Sequence, residues 1–205
     1  MNQPQKIKFT TVLLVTKAAL LFTASFFLAG CGNLNLKIKQ PALFTGNQTH
    51  HGSLSVKVSD ERQTTGRIGV WRGGFGNHLG DIILADDLDV AFTSIFTKAL
   101  ESNGYSVVPS TNAQVNIKIT MFVTDTTGHG KFARHKTLVQ LCDEQGDIRW
   151  EKNLLGEAAG MQNGATASME HCMNLALERL VHQAVEEFSS EFFRQQVRKV
   201  NQNKQ

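Results

Sequence analysis

Hydrophobic and polar residues alternate along this chain with two different periods. A two-residue period places every second side chain on one face of a strand. It runs through Leu54–Val58, Arg67–Trp71, Tyr105–Val108, Val115–Val123, Lys136–Cys142 and Asp147–Leu154. The clearest case is Val115–Val123, with Val115, Ile117, Ile119, Met121 and Val123 on one face and mostly polar residues opposite. The last two segments flank Asp143-Glu144-Gln145-Gly146, which is hairpin spacing with glycine where a turn wants it. Helical spacing appears twice. Leu88, Phe92, Ile95, Phe96, Ala99 and Leu100 share one face of a helix expected over Ala85–Asn103, with Asp86 as its N-cap and Gly104 as its terminator. A second stripe, from Met169, Cys172 and Met173 through Leu177, Leu180, Ala184 and Phe188 to Phe192, predicts one long amphipathic helix over Thr166–Val197. The order β-β-α-β-β-β-β-α predicts an α+β two-layer sandwich, a mixed, mainly antiparallel sheet with two helices on one face.

The N-terminal pattern is of another kind. Lys6, Lys8 and Lys17 precede Ala18–Leu28, an uncharged run of eleven residues. At about 1.5 Å per residue such a run spans roughly 16 Å, about half of a hydrocarbon core. Extending it back to Thr10 would place the Lys17 ammonium near mid-membrane, at considerable cost. Residues 1–30 are therefore expected to be a secretory signal that is removed. Its end, Leu28-Ala29-Gly30-Cys31, resembles the lipobox of bacterial lipoproteins. That resemblance implies that Cys31 becomes the diacylated first residue of the mature protein. Two or more acyl chains anchor a protein stably where one does not. Gly32 stands where inner-membrane lipoproteins carry Asp, which implies the outer membrane, with the domain facing the periplasm. Residues 31–52 are expected to be a lipidated tether with a reach of roughly 25 Å, with Leu34–Ile38 as an alternative extended edge segment. Residues 53–200 then form a single domain, and 201–205 a polar tail.

Removing the signal changes the charge. The whole chain has 21 basic and 18 acidic residues, and three lysines and no acids lie in residues 1–30. The mature chain is therefore balanced at 18 against 18, and no basic patch argues for nucleic acid. Of the three cysteines, Cys142 and Cys172 remain once Cys31 is acylated. In an oxidising compartment they form a candidate disulfide, on the order of 3–4 kcal/mol for a loop of about thirty residues; the alternative is two separate buried thiols. The lipobox, the strand end Val56–Arg62 (VKVSDER), the junction Leu100–Tyr105 (LESNGY) and the terminal helix together resemble the YajG-type bacterial lipoproteins. The resemblance spans most of the mature chain as a pattern of elements. It implies an outer-membrane lipoprotein with a small α/β domain and brings no established activity. The Gly73–Gly80 loop, the His50-His51 pair and Trp71 do not belong to it.

Tests for chemistry return little. The Gly73–Gly80 stretch sits between a strand and a helix, but Leu79 occupies the third glycine position of a dinucleotide fingerprint, and no Gly-Lys-Ser/Thr follows. A surface loop is expected there. The seven histidines are scattered, with His171 and His182 roughly 16 Å apart along a helix. There is no HExxH, no Cys-x-x-Cys and no Gly-x-Ser-x-Gly, so no metal, cofactor or catalytic residue is assigned. Asp60 and Arg62 are expected to form structural ion pairs, with each other or with the first helix, and His78, Asp81 and Asp60 are the one polar cluster a hydrolase could use. The leading expectation is a non-enzymatic module that binds another envelope component. Its partner surface is expected at Trp71, Gly74, Phe75, Gly76 and His78, or along an open sheet edge. The alternative is a small-ligand or lipid carrier, with Phe92, Phe96, Phe188 and Phe192 lining an apolar cavity.

Overall fold

Among the described residues, alternation builds eight strands and apolar stripes build three helices. The computed structural model describes residues 32–42, 49–73, 75–127, 130–161 and 166–202. Residues 1–30, read as a signal, with Leu28, Ala29 and Gly30 among them, and Cys31, Gly74 and His129 lie outside them. The elements are β1 (Leu34–Leu36), β2 (Gly52–Asp60), β3 (Gly69–Arg72), β4 (His78–Leu84), α1 (Leu88–Ser102), β5 (Tyr105–Val107), β6 (Gln114–Thr127), β7 (Gly130–Cys142), β8 (Ile148–Met161), α2 (Thr166–Ser189) and α3 (Glu191–Gln202). They form an α+β domain with two mixed sheets, where the sequence predicts one. A five-stranded sheet has the order β5-β2-β6-β7-β8, and a three-stranded sheet the order β1-β4-β3. The long β6–β7 and β7–β8 hairpins are antiparallel, whereas β2 runs parallel to both β5 and β6, and β1 parallel to β4.

The two sheets meet along β6. Strand β2 pairs with β6 only as far as Ile119. Beyond that point the vacated edge of β6 is taken by the β3 region: the Thr124 N–H donates to Ile68 O at 2.8 Å and the Arg72 N–H to Thr126 Oγ1 at 2.8 Å. A bulge falls at the same place. The β6–β7 register slips between Ile119 and Met121, which moves every later side chain to the opposite face. Val115, Ile117 and Ile119 are buried, and after the bulge it is Phe122, Thr124 and Thr126 that are buried. Met121 and Val123, expected on the inner face, are only half-buried.

Helix α2 lies across β7 and β8. Gly156 of β8 is the closest point: a Cβ there would stand 1.9 Å from the Ala176 carbonyl oxygen. Beside it on β7, His135 is fully buried, although the sequence suggests a solvated residue. Its ring stacks on Phe122 at 3.8 Å, nearly parallel, and its Nε2 lies 2.9 Å from Met173 O on α2. The aromatic core continues from Phe122 to Phe92 and Phe96, then to Phe188 and Phe193, and on to Trp150. Three of the four phenylalanines proposed to line a cavity, Phe92, Phe96 and Phe188, are thus packed ring against ring.

The expected single C-terminal helix is two helices. It breaks at Ser190, whose Oγ accepts from the Phe193 N–H at 3.2 Å in the manner of an N-cap. The break resets the helical register, so Phe193 is buried and Phe192 is 59% exposed. The N-cap of α1 is Asp87, one residue later than predicted; its carboxylate accepts from the N–H groups of Asp89 and Val90. Asp86 instead accepts from the Ile38 N–H at 2.8 Å.

That last bond belongs to a correction at the start of the domain. The compact unit begins at Asn33, not at Ser53. Leu34 and Leu36 are buried, and the following residues are clipped to the helices. The Lys39 N–H donates to Asn174 Oδ1 at 2.7 Å, Asn174 Nδ2 donates to Lys37 O at 3.1 Å, and Lys39 pairs with Glu170 at 3.1 Å. Alternating leucines and a short run of capped backbone thus fix residues 33–40: the tether reading fails there, and the alternative of an extended edge segment within Leu34–Ile38 holds as β1.

Two measurements check this packing. Gly156→Ala forces β8 and α2 apart and is expected to destabilise the fold by about 1–3 kcal/mol in urea titrations. Burial holds the His135 pKa down from 6.5 to about 4. The unfolded chain therefore binds this proton first, and stability present above pH 6.5 is lost as pH falls toward 4, by on the order of 3 kcal/mol. The stability-against-pH curve of His135→Phe is expected to be flatter across that window by a similar amount; identical slopes would contradict it.

Candidate functional site

The residues read as a partner surface lie on one hairpin. The Gly73–Gly80 stretch is not a loop leading into a helix: its second half is the start of β4, antiparallel to β3, with Trp71 opposite Gly80 and Arg72 opposite His78. The strand character was masked in the sequence by Gly80 and Asp81, which interrupt the apolar positions before Ile82 is buried. The turn closes through the Gly73 N–H donating to Asn77 O at 2.9 Å and the Gly76 N–H donating to Gly73 O at 2.8 Å. Gly76 takes a φ of +79°, the left-handed region glycine favours.

The side chains separate into two groups. Trp71 is half-buried and packs against the core, so it is part of the domain more than of its surface. Phe75, at the turn, is 103% exposed and touches solvent on all sides. His78 is exposed, with Nε2 3.3 Å from Asp81 Oδ1, and Arg67 Nη1 is 3.0 Å from the same oxygen. The Arg67 hydrogen bond, with a smaller contribution from His78, holds the Asp81 carboxyl below its ordinary pKa. Asp60 is engaged elsewhere, gripped in a two-point bond by Arg62 at 2.8 and 2.7 Å. The structure therefore joins His78 to Asp81 and Asp60 to Arg62, and the proposed three-residue cluster does not assemble. Among the described residues no group of three His, Cys, Asp or Glu side chains is placed to hold a metal ion.

The candidate disulfide does not assemble either. Cys142 and Cys172 are both free and buried. Cys142 Sγ accepts from Asn116 Nδ2 at 3.2 Å, and Cys172 donates to Ala158 O at 3.3 Å. Ala158 pairs with Ala133, so the two thiols are about nine strand residues apart along β7, roughly 30 Å. A disulfide needs Cα atoms within about 7 Å.

The open sheet edge is partly closed. Strand β8 is the outer strand of the large sheet, but Gln183 of α2 reaches over it: the Leu155 N–H donates to Gln183 Oε1 at 3.1 Å, and Gln183 Nε2 donates to Leu155 O at 2.9 Å. Arg179 donates to Glu157 O beside it. Between this edge and α2 runs an open groove of about 520 Å³ with Leu155 and Leu175 in its wall and Glu178, Arg179, His182 and Glu186 around it.

One relation was not legible in the sequence. β1 runs parallel to β4, with Leu34 opposite Ile82, and Asn33 Oδ1 accepts from the Asp81 N–H at 3.4 Å. The chain therefore enters the domain at the hairpin end of β4. Arg67, the partner of Asp81, was missed as well, because only the hairpin brings the two together.

No family model matches the chain, and the comparison with curated proteins finds no match. Solved structures do match. A Xanthomonas campestris protein of the DUF330 family aligns with a TM-score of 0.56 at 14% identity, over 82% of this chain and 99% of that one. A minor lipoprotein from Acinetobacter baumannii aligns with a TM-score of 0.42 at 14% identity, over 67% and 90% of the two chains. A Chlamydia trachomatis protein aligns at 0.47 and 11% identity, over 69% and 97%. The first of these shows a shared fold.

The division within the hairpin is testable by thermal or urea unfolding. Phe75→Ser is expected to change stability by no more than about 0.5 kcal/mol. Trp71→Ala is expected to cost about 1–2 kcal/mol, roughly half the loss for a fully buried aromatic.

Proposed function

We propose that this chain is a lipid-anchored envelope protein of the YajG type, acylated at Cys31 and directed by Gly32 to the outer membrane. Its periplasm-facing domain acts as a non-enzymatic adaptor for another envelope component. The observation that carries the reading is the continuity at the lipobox: Leu28-Ala29-Gly30-Cys31 closes an apolar run, and a buried strand begins at Leu34. The acyl chains and the folded domain are thus separated by two residues. Among the described residues no helix is long and apolar enough to cross a membrane. Two or three acyl chains on Cys31 supply a stable attachment.

The groove between β8 and α2 is the surface best suited to a protein partner. Its wall offers Leu155, 42% exposed, and its rim carries both signs of charge, a pattern that orients a partner and selects among partners. Strand addition along β8 is disfavoured where Gln183 and Arg179 occupy the edge.

Two experiments test the proposal. Cys31→Ser is expected to abolish incorporation of labelled palmitate and to move the protein from the membrane to the soluble fraction; unchanged fractionation would count against the anchor. A photo-crosslinking residue at Leu155 is expected to capture one envelope protein in cells, while the same residue at Val90, on α1, captures none.

A further inference from the structure

We propose that the tip of the β3–β4 hairpin, led by Phe75, enters the headgroup region of the membrane that holds the lipid anchor and forms a second, non-covalent contact with it. The inference rests on the reading of Cys31 as acylated, and adds to it an orientation for the whole domain.

The argument begins with chain length. Cys31 is bonded to Gly32, so their Cα atoms are about 3.8 Å apart. Gly32 and Asn33 are exposed, and β1 pairs with β4 from Leu34, opposite Ile82, onwards. The Asn33 side chain accepts from the Asp81 N–H, so the start of β1 is beside Asp81, next to Gly80 when β4 is followed backwards. Cys31, two residues earlier in the chain, has its Cα within about 7.6 Å of that of Asn33. The same direction along the sheet leads from Gly80 to His78 on β4 and from Trp71 to Arg72 on β3, and then into the turn. The start of β1 and the turn are therefore at one end of the three-stranded sheet. From Trp71, which is opposite Gly80, to Phe75 is four residues, at most roughly 14 Å. Acyl chains on Cys31 draw that end of the sheet against the bilayer, and the turn extends beyond the paired residues Arg72 and His78.

The chemistry of the turn suits the position. Phe75 makes no use of its ring within the domain, and a fully exposed phenylalanine gains by entering the boundary between headgroups and acyl chains, about 5–10 Å deep. The turn residues Gly73, Gly76 and Asn77 carry no charge, so nothing charged has to be desolvated with it. Arg72 and His78 face each other at the base of the tip; Arg62 and Arg67 are paired with Asp60 and Asp81. The Arg72 guanidinium at that level is attracted to the phosphates of an anionic membrane.

The test uses full-length acylated protein in vesicles of phosphatidylethanolamine and phosphatidylglycerol that contain brominated lipid, a contact quencher of tryptophan. Phe75→Trp keeps an aromatic ring at the tip, and Val90→Trp places one at an exposed site near the start of α1, beyond the opposite end of β4. The emission of the wild type, from Trp71 and Trp150, is subtracted from each. With bromines about 5–10 Å below the headgroup boundary, the emission added at position 75 is expected to fall about twofold or more, and that at position 90 to be unchanged. Acylated protein that floats with the vesicles but shows equal, unquenched emission at both positions overturns the inference and leaves the anchor standing; the tip would then be free for a protein. Protein with no acyl mass on Cys31 overturns the anchor and the inference together.

Discussion

The fold depends on how closely α2 can approach the sheet. Phe122, His135 and Gly156 are neighbours in one row across β6, β7 and β8, and α2 rests on that row through the Met173 and Ala176 carbonyls. Each member has a different task. Gly156 lets the backbones come together, His135 supplies a donor to a carbonyl that the helix brings down onto it, and Phe122 fills the space beside the ring. Replacing any one with a larger or charged group would lift the helix from the sheet. The row is also where the buried aromatic core begins, because Phe122 meets Phe92 edge-on and Phe92 leads to Phe96 and Phe188. A neutral histidine is tolerated here because its Nε2 bonds Met173 O inside the protein, which leaves only Nδ1 buried without a partner. A charged one would have to give up its hydration in an apolar surrounding.

That row exists only because β6 breaks its own alternation. Without the extra residue near Thr120, Phe122 would face the outer side with Thr124 and Thr126, and Met121 and Val123 would point at the helix. The sequence favours the regular pattern, since Val115 to Val123 alternates without a flaw, and the bulge is invisible to a period-two reading. It is a tertiary decision. Where β2 ends, the β6 edge must find new partners, and the strand that supplies them, β3, is far away in the chain. The same limit explains the helix break at Ser190. The stripe from Met169 to Phe188 is regular, and two adjacent phenylalanines, Phe192 and Phe193, allow either register; only the cap at Ser190 and the position of Trp150 select the second.

What was legible was the class of the fold, the identity of most strands, the two apolar helical stripes and the packing role of Phe92, Phe96 and Phe188 as apolar positions. These follow from local periodicity, and local periodicity survives in a sequence. What was not legible depends on segments distant in the chain. Leu34-Asn35-Leu36 has only two apolar positions, enough to suggest an extended edge segment but not its partner, and it pairs with β4 and closes the small sheet. Trp71 and Phe75 look alike in the sequence as aromatics near glycines. In the structure one belongs to the core and the other to solvent, because β3 is pinned on one side by β4 and on the other by Thr124 and Thr126, while the turn beyond it has no neighbour.

The placement of β1 also changes the mechanical meaning of the lipobox. A flexible tether of twenty residues would let the domain diffuse at some distance from the membrane, in any orientation. With residues 33–40 clipped to β4, α1 and α2, an acylated Cys31 would instead transmit its position to the sheet within two residues. An adaptor held in that way presents one fixed side outward. The groove between β8 and α2 belongs to the large sheet, not to the small sheet that contains β1. A partner meeting that groove would find it already oriented, and less rotational freedom would be lost on binding than for a freely tethered domain.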